Sequence, residues 1–188
     1  ILAGISGTGK TQLPRKFGES LGFDMEQQII QVPVRPDWTD GSELLGYTSL
    51  DNKFSPKDLT LAIQKALLNP EKPYFFILDE MNLARVEHYF SDYLSIIETR
   101  RRDEKNDIVT DKILREEMLV GANNHKDFEN LRLPQNLYLI GTVNMDETTH
   151  SFSRKVLDRA NSIEMNNVDL NWIESGGKSI EKLQNISN

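Results

Sequence analysis

The chain has 188 residues, 38% of them hydrophobic, a formal net charge of −7 and no cysteine. That length suits one α/β domain with a real core, and no apolar run approaches the ~18–20 residues of a membrane-spanning helix, so no membrane partner is expected. Without cysteine neither a disulfide nor a thiolate-held metal is available, which fits a reducing, cytoplasmic setting, and the acidic balance argues against bulk, sequence-independent DNA binding beyond weak local contacts.

The chain opens on Ile1-Leu2-Ala3, directly against Gly4-Ile5-Ser6-Gly7-Thr8-Gly9-Lys10-Thr11. The second stretch fits G-x-x-x-x-G-K-[ST], the phosphate-binding P-loop. Its glycines let the backbone curl so that successive N–H groups, those of Ser6 to Thr11 among them, turn inward toward phosphate oxygens. Lys10 adds a point charge for the β- and γ-phosphates, and the Thr11 hydroxyl suits one position on Mg²⁺. A helix starts there too, and its N-terminus favours the same anion. The plainer alternative, a glycine-rich turn that happens to carry a lysine, is the less economical one. A P-loop needs a strand in front of it. Three residues are a stub of one, so the first strand is expected to be truncated and the chain to be a piece of a longer protein.

A helix is expected from about Lys10 to Leu21, bent near its start by Pro14, with Leu13, Phe17 and Leu21 facing a sheet at helical spacing. Gln28 to Val34 reads as a strand, which Pro33 confines to a sheet edge because it has no N–H to donate. The loop from Arg35 to Tyr47 carries Trp38 and Tyr47, read as packing aromatics rather than ligand contacts. Ser55-Pro56 has the pattern of an N-cap followed by proline at the first helical position. The helix so opened runs through Leu59, Ala62, Ala66 and Leu67 and stops at Asn69-Pro70.

Tyr74-Phe75-Phe76-Ile77-Leu78-Asp79-Glu80 is the second chemical landmark. Five apolar residues in succession indicate a strand buried on both faces, as in a parallel sheet. The two acids stand where such a strand emerges at its C-terminal end, the edge at which open α/β sheets bind ligands. After a P-loop this is the Walker B pattern: Asp79 for Mg²⁺, Glu80 to orient and polarise the attacking water. An acidic helix cap is the bland alternative. The following helix places Leu83, Val86, Phe90, Tyr93, Leu94 and Ile97 on one face and ends at Arg100-Arg101-Arg102, a cationic end suited to the helix dipole. Residues from about 103 to 134 are polar and weakly patterned and read as an insertion, part hairpin and part mobile. Leu137 to Asn144 is another buried strand, which sets Asn144 between the phosphates and the catalytic water. A helix from Ser151 to Ala160, holding Arg154, Lys155 and Arg159, and a short strand over 162–165 follow. The remainder is mostly polar, with Trp172 its one large apolar residue and a break at Gly176-Gly177.

The motifs together resemble the AAA+ ATPases, in the branch that joins McrB-type subunits of 5-methylcytosine-directed restriction systems with dynein-related and MoxR-type ATPases. Gly4 to Thr11 is similar to Walker A, Leu78-Asp79-Glu80-Met81-Asn82 to Walker B, Gly141-Thr142-Val143-Asn144-Met145-Asp146 to sensor 1, and Val156-Leu157-Asp158-Arg159 to the arginine-finger helix. Asp37 to Tyr47 is similar to the stretch before the second helix of this branch. The resemblance implies a three-layer α/β P-loop NTPase fold with a parallel sheet of order 5-1-4-3-2 over residues 1–165. Residues 166–188 are then a polar segment, the start of a lid or a linker. The resemblance also implies a homo-oligomeric ring, usually a hexamer, with Arg159 reaching the γ-phosphate held by a neighbour.

Two departures stand out. The family's helical lid and its sensor 2 arginine have no recognisable counterpart after Met165. The McrB type reads M-N-x-x-D-R-S at sensor 1, whereas Val143-Asn144-Met145-Asp146-Glu147-Thr148-Thr149 lacks the arginine and shifts the acid. The guanine motif N-K-x-D of small GTPases is absent, since Asn52-Lys53 is followed by Phe54-Ser55, yet McrB-type proteins do not rely on it. ATP and GTP both remain candidate substrates, with Mg²⁺ as cofactor. Three functions fit: the NTPase motor of a McrB-like restriction system, with a nuclease partner and DNA contacts mainly outside this chain; a MoxR-like protein-remodelling ATPase; and a nucleotide-gated assembly module with little hydrolysis. The set Asp79, Glu80, Asn144 and Arg159 argues against the third.

Overall fold

The computed structural model describes residues 1–145 and 150–166. Asp146 to Thr149, Trp172 and Gly176-Gly177 lie outside the described residues, as does the rest of the chain after Asn166. Strand β1 (Leu2–Gly4) runs into the P-loop and helix α1 (Gln12–Ser20). Strand β2 (Ile29–Pro33) is followed by the single turn α2 (Ser42–Leu45), a hairpin of β3 (Gly46–Thr48) and β4 (Phe54–Pro56), and helix α3 (Asp58–Leu68). Strand β5 (Tyr74–Asp79) leads through a 3₁₀ turn (Met81–Leu83) into α4 (Val86–Tyr89) and α5 (Ser91–Glu98). A second hairpin, β6 (Arg101–Arg102) and β7 (Ile108–Val109), and the turn α6 (Glu116–Leu119) precede β8 (Leu137–Asn144). Helix α7 (Arg154–Leu157) and strand β9 (Ile163–Glu164) close the described part.

Five strands form a parallel sheet in the order β2-β5-β8-β1-β9. Counted along the chain among themselves they run 5-1-4-3-2, the order the resemblance implied. Pro33 ends the outer strand β2, which pairs with β5 alone, so its missing N–H costs no second ladder. Alternation along β5 feeds two cores. Phe76 and Leu78 join Leu59, Ile63, Tyr89 and Phe90 on the side of α3, α4 and α5. Phe75 and Ile77 join Ile29 in a smaller cluster on the other side, with Phe23 and Met25 packed against it. Phe76, Ile77 and Leu78 are fully buried, each contributing about 1.5–3 kcal/mol of transfer free energy. The strand that carries the two acids is therefore among the most firmly anchored parts of the molecule.

Several local expectations differ from what forms. Pro14 sits in the first turn of α1, where its N–H would have no acceptor within the helix, so no ladder bond is lost. The buried face of α1 is Pro14 and Gly18; Leu13, Phe17 and Leu21 are 44%, 54% and 55% exposed. The reason is a close approach: a Cβ on Gly18 would stand 2.6 Å from Ile29 Cδ1, so the bare backbone of Gly18 is what meets the sheet. Phe17 still covers Phe75 from the flank, stacked at 6.2 Å between centroids.

Ser55-Pro56 does not cap a helix, because both residues pair with Tyr47 and Gly46 across the β3–β4 hairpin, and α3 starts two residues later. The helix after Glu80 is broken into three pieces, first at Ala84-Arg85, whose backbone is extended, and again at Phe90, whose φ is −108°. Arg101 and Arg102 lie in β6 rather than at a helix end, and Arg101 pairs with Asp111. The segment 103–134 contributes to the expected hairpin, and beyond it Ile113, Leu114, Phe128, Leu131 and Leu133 pack into the main core. Trp38 is buried edge-on to Tyr89 at 5.3 Å, as a packing aromatic should be, while Tyr47 is half-exposed. Only Arg154–Leu157 of the expected 151–160 helix forms, preceded by extended Ser153, whose hydroxyl makes no capping hydrogen bond.

Candidate active site

The C-terminal ends of β1, β5 and β8 meet at one edge of the sheet. There they line a cavity of about 310 Å³ that includes Lys10, Thr11, Asp79, Glu80, Thr142 and Asn144. They come from three stretches of sequence, each more than sixty residues from the next. Parallel registry brings them together: Ala3 lies beside Val143, Gly4 beside Asn144, and Ile77 beside Ile140.

The P-loop is built by backbone conformations that only glycine adopts without strain, Gly7 at φ 81° and Gly9 at φ 79°. Gly9 O accepts from the amides of both Gln12 and Leu13, which launches α1 from the loop. Lys10 is only 5% exposed. Its Nζ donates to Ile5 O at 2.5 Å and to Thr8 Oγ1 at 3.3 Å, so the ammonium is curled into its own loop. Thr8 Oγ1 in turn donates to Ile5 O. Ser6 and Gly7 are exposed at the rim of the cavity.

Asp79 accepts three side-chain hydrogen bonds. Thr11 Oγ1 and Thr142 Oγ1 donate to its Oδ1 at 2.6 and 2.7 Å, and Gln31 Nε2 donates to its Oδ2 at 3.1 Å. Arg15 donates to Gln31 Oε1 and so orients that amide. A hydroxyl and a carboxylate in contact, opening on a phosphate loop, are hard oxygen donors of the kind Mg²⁺ takes when it keeps several waters and borrows phosphate oxygens. The donor set fits that ion.

Glu80 follows in the left-handed region, φ 52° and ψ 50°. Its N–H donates to Thr142 Oγ1 at 2.9 Å, and its Oε1 accepts from Asn144 Nδ2 at 2.6 Å. Asn82 Nδ2 donates to Asn144 O at 2.8 Å, tying the Walker B turn back to the strand that carries Asn144.

Arg159 lies elsewhere. It follows α7, donates to Lys155 O and forms an ion pair with Glu98 at the end of α5. Its side chain is 25% exposed, and it lines cavities next to α5 rather than the nucleotide cavity of its own chain. The structure therefore gathers the P-loop, Asp79, Glu80 and Asn144 and leaves Arg159 apart.

The sequence reading gave no role to Thr142 and Asn82, which it placed within motifs, nor to Gln31 and Arg15. Their signals are present: Thr142 is two residues before Asn144 and so on the same strand face, and Gln31 is a polar residue inside an apolar strand. Neither signal names a partner.

Two comparisons bear on this geometry. Residues 1–160 match the family model described as AAA domain, dynein-related subfamily. Over 147 residues the chain is 28% identical to the type IV methyl-directed restriction enzyme EcoKMcrB subunit of Escherichia coli strain K12, a stretch that is 77% of this chain and 30% of that protein. The chain thus spans less than a third of that relative's length. With its sheet order, its phosphate loop and a family match across nearly all of the described residues, the chain belongs to the dynein-related subfamily of AAA domains.

Proposed function

We propose that this domain hydrolyses a nucleoside triphosphate, ATP or GTP, with Mg²⁺, and that it does so as the ring-forming motor subunit of a McrB-like, modification-dependent restriction system in the cytoplasm. The observation that carries the hydrolytic part is the bond between Asn144 and Glu80 at the mouth of the P-loop cavity. A carboxylate held by a fixed amide beside the phosphate site has the placement of a group that orients and deprotonates water. Thr11 and Asp79 would hold the metal, which supplies charge neutralisation on the β- and γ-phosphate oxygens. Backbone amides of Ser6 to Thr11 and the Lys10 ammonium would bind the phosphates, with Lys10 exchanging Ile5 O for a phosphate oxygen.

The restriction setting is supported by the identity to the restriction subunit. On this reading a nuclease subunit and most DNA contacts belong to regions outside the chain. Subunits form a ring, probed most simply as a hexamer, and Arg159 acts on the γ-phosphate of a neighbour, consistent with its distance from its own P-loop. Phosphate release from ATP and from GTP by the full-length protein tests the reading. One base is expected to be favoured by at least about tenfold, or ~1.4 kcal/mol. No turnover of either nucleotide in the presence of Mg²⁺ would remove the hydrolytic part, and equal use of both would show that the base pocket discriminates little.

A further inference from the structure

Asp79 and Glu80 are consecutive, and consecutive residues of a strand point to opposite faces of the sheet. Both nonetheless line the same cavity. The change of direction is made at Glu80, whose backbone is left-handed, a conformation that costs a residue with a Cβ roughly 1–2 kcal/mol. Something must hold it there, and the group in contact with its amide is Thr142.

A threonine hydroxyl has one hydrogen to donate and two lone pairs to accept with. Thr142 uses them on the two acids: the hydrogen goes to Asp79 Oδ1 at 2.7 Å, and a lone pair takes the Glu80 N–H at 2.9 Å. Thr142 is 1% exposed, so water does not replace either bond. Two residues along the same strand, Asn144 holds the carboxylate of Glu80. Strand β8 thus grips Glu80 at both ends, by its main chain through Thr142 and by its side chain through Asn144.

We propose that Thr142 is a positioning residue for hydrolysis. Its hydroxyl staples the side chain of the metal-holding Asp79 to the main chain of the water-activating Glu80 and keeps the two acids at the one cavity. The inference rests on the hydrolytic reading above, but the staple itself is open to test without turnover.

Thr142→Val keeps the shape and removes both bonds, Thr142→Ser keeps the hydroxyl, and Thr142→Ala removes the hydroxyl without crowding. In the full-length protein Thr142→Val and Thr142→Ala are expected to lower kcat by about 10²-fold, the cost of misplacing a catalytic group by around an ångström. Nucleotide Kd should stay within about threefold, because the P-loop is untouched, and Thr142→Ser should restore kcat to within about threefold of wild type. Amide hydrogen exchange at Glu80 reads the staple directly: protection in wild type and Thr142→Ser, loss of it in Thr142→Val and Thr142→Ala. Unchanged kcat in Thr142→Val, a Thr142→Ser as slow as Thr142→Val, a parallel loss of nucleotide affinity, or unchanged exchange at Glu80 would each overturn the proposal. A wild-type protein that hydrolyses nothing would instead overturn the hydrolytic reading, while the exchange measurement still decides the staple.

Discussion

Asn144 Nδ2 lies 2.6 Å from Glu80 Oε1, a bond between two strand ends that are 64 residues apart in the chain. The Asn144 amide donates to that oxygen and so aims the Glu80 side chain. Glu80→Gln keeps the shape and can still accept from Asn144 through its carbonyl, but it cannot take a proton. Nucleotide binding is expected to be normal and turnover to fall by ~10²-fold or more. Asn144→Ala should bind equally well and also lose turnover. Isothermal calorimetry beside single-turnover kinetics separates the two quantities, and full activity in Glu80→Gln would reassign Glu80 to a capping role.

Lys10 is buried and already held by two oxygens of its own loop. Its replacement of those contacts by phosphate oxygens makes Lys10→Ala a binding mutant. Two charged hydrogen bonds at about 1.5–3 kcal/mol each imply a loss of roughly 10²–10⁴ in affinity. Wild-type-like binding of Mg·nucleotide by Lys10→Ala in calorimetry would remove the P-loop reading.

Arg159 is held by Glu98, whose side chain is 54% exposed. The Glu98 end of the pair is open to solvent while Arg159 itself is 25% exposed, and a pair at the surface is worth about 0–1 kcal/mol, weak enough for Arg159 to leave it for a neighbour's γ-phosphate. Arg159→Ala should therefore cost at most about 1 kcal/mol in a denaturation curve, yet bind nucleotide without turning it over, since a trans arginine contributes ~10³–10⁵ in rate. Its defect and that of Glu80→Gln then lie on opposite sides of a subunit boundary. Mixing the two inactive proteins should restore part of the activity wherever an intact Glu80 meets an intact Arg159. A mixture that stays inactive although mixed rings form would show that Arg159 does not act across an interface.

Tyr89 donates to Met81 O at 2.8 Å from a buried position beneath the Walker B turn. Burial raises the pKa of its phenol well above the usual value. A folded-state pKa above the unfolded one gives stability that is complete below the unfolded value of about 10 and is lost as pH rises beyond it. Tyr89→Phe should lower stability near neutral pH by about 1–3 kcal/mol, through the unpaired Met81 carbonyl. It should also flatten the alkaline fall seen in wild type. Urea midpoints measured across pH 7 to about 11 compare the two; parallel curves would show that the Tyr89 phenol is not what titrates.

Much of the site's backbone is legible in the chain itself. The P-loop glycines specify their own turn, because Gly7 and Gly9 need positive φ and no other residue adopts it as cheaply. The unbroken apolar run before Asp79 specifies a strand covered on both faces, and Pro33 excludes β2 from the middle of the sheet. These are local facts, encoded within a few residues of where they act. The orientation of α1 is not local: Leu13, Phe17 and Leu21 have the right spacing for a buried stripe, but the bare backbone of Gly18 against Ile29 turns the helix the other way.

The same division runs through the chemistry. Residue types and order determine by themselves that the P-loop and the two acids belong at one sheet edge, since a parallel sheet brings those strand ends together. Which hydroxyl holds which acid is decided by tertiary structure. Thr142 reaches Glu80 across 62 residues of sequence and holds it in a left-handed conformation that nothing in Leu78-Asp79-Glu80-Met81 requires. Arg159 meets Glu98 through the packing of α7 on α4, which leads directly into α5, a contact with no periodicity in the sequence to announce it. Local spacing encodes backbone form, whereas side-chain partnership depends on registry between strands and helices that are distant in the chain.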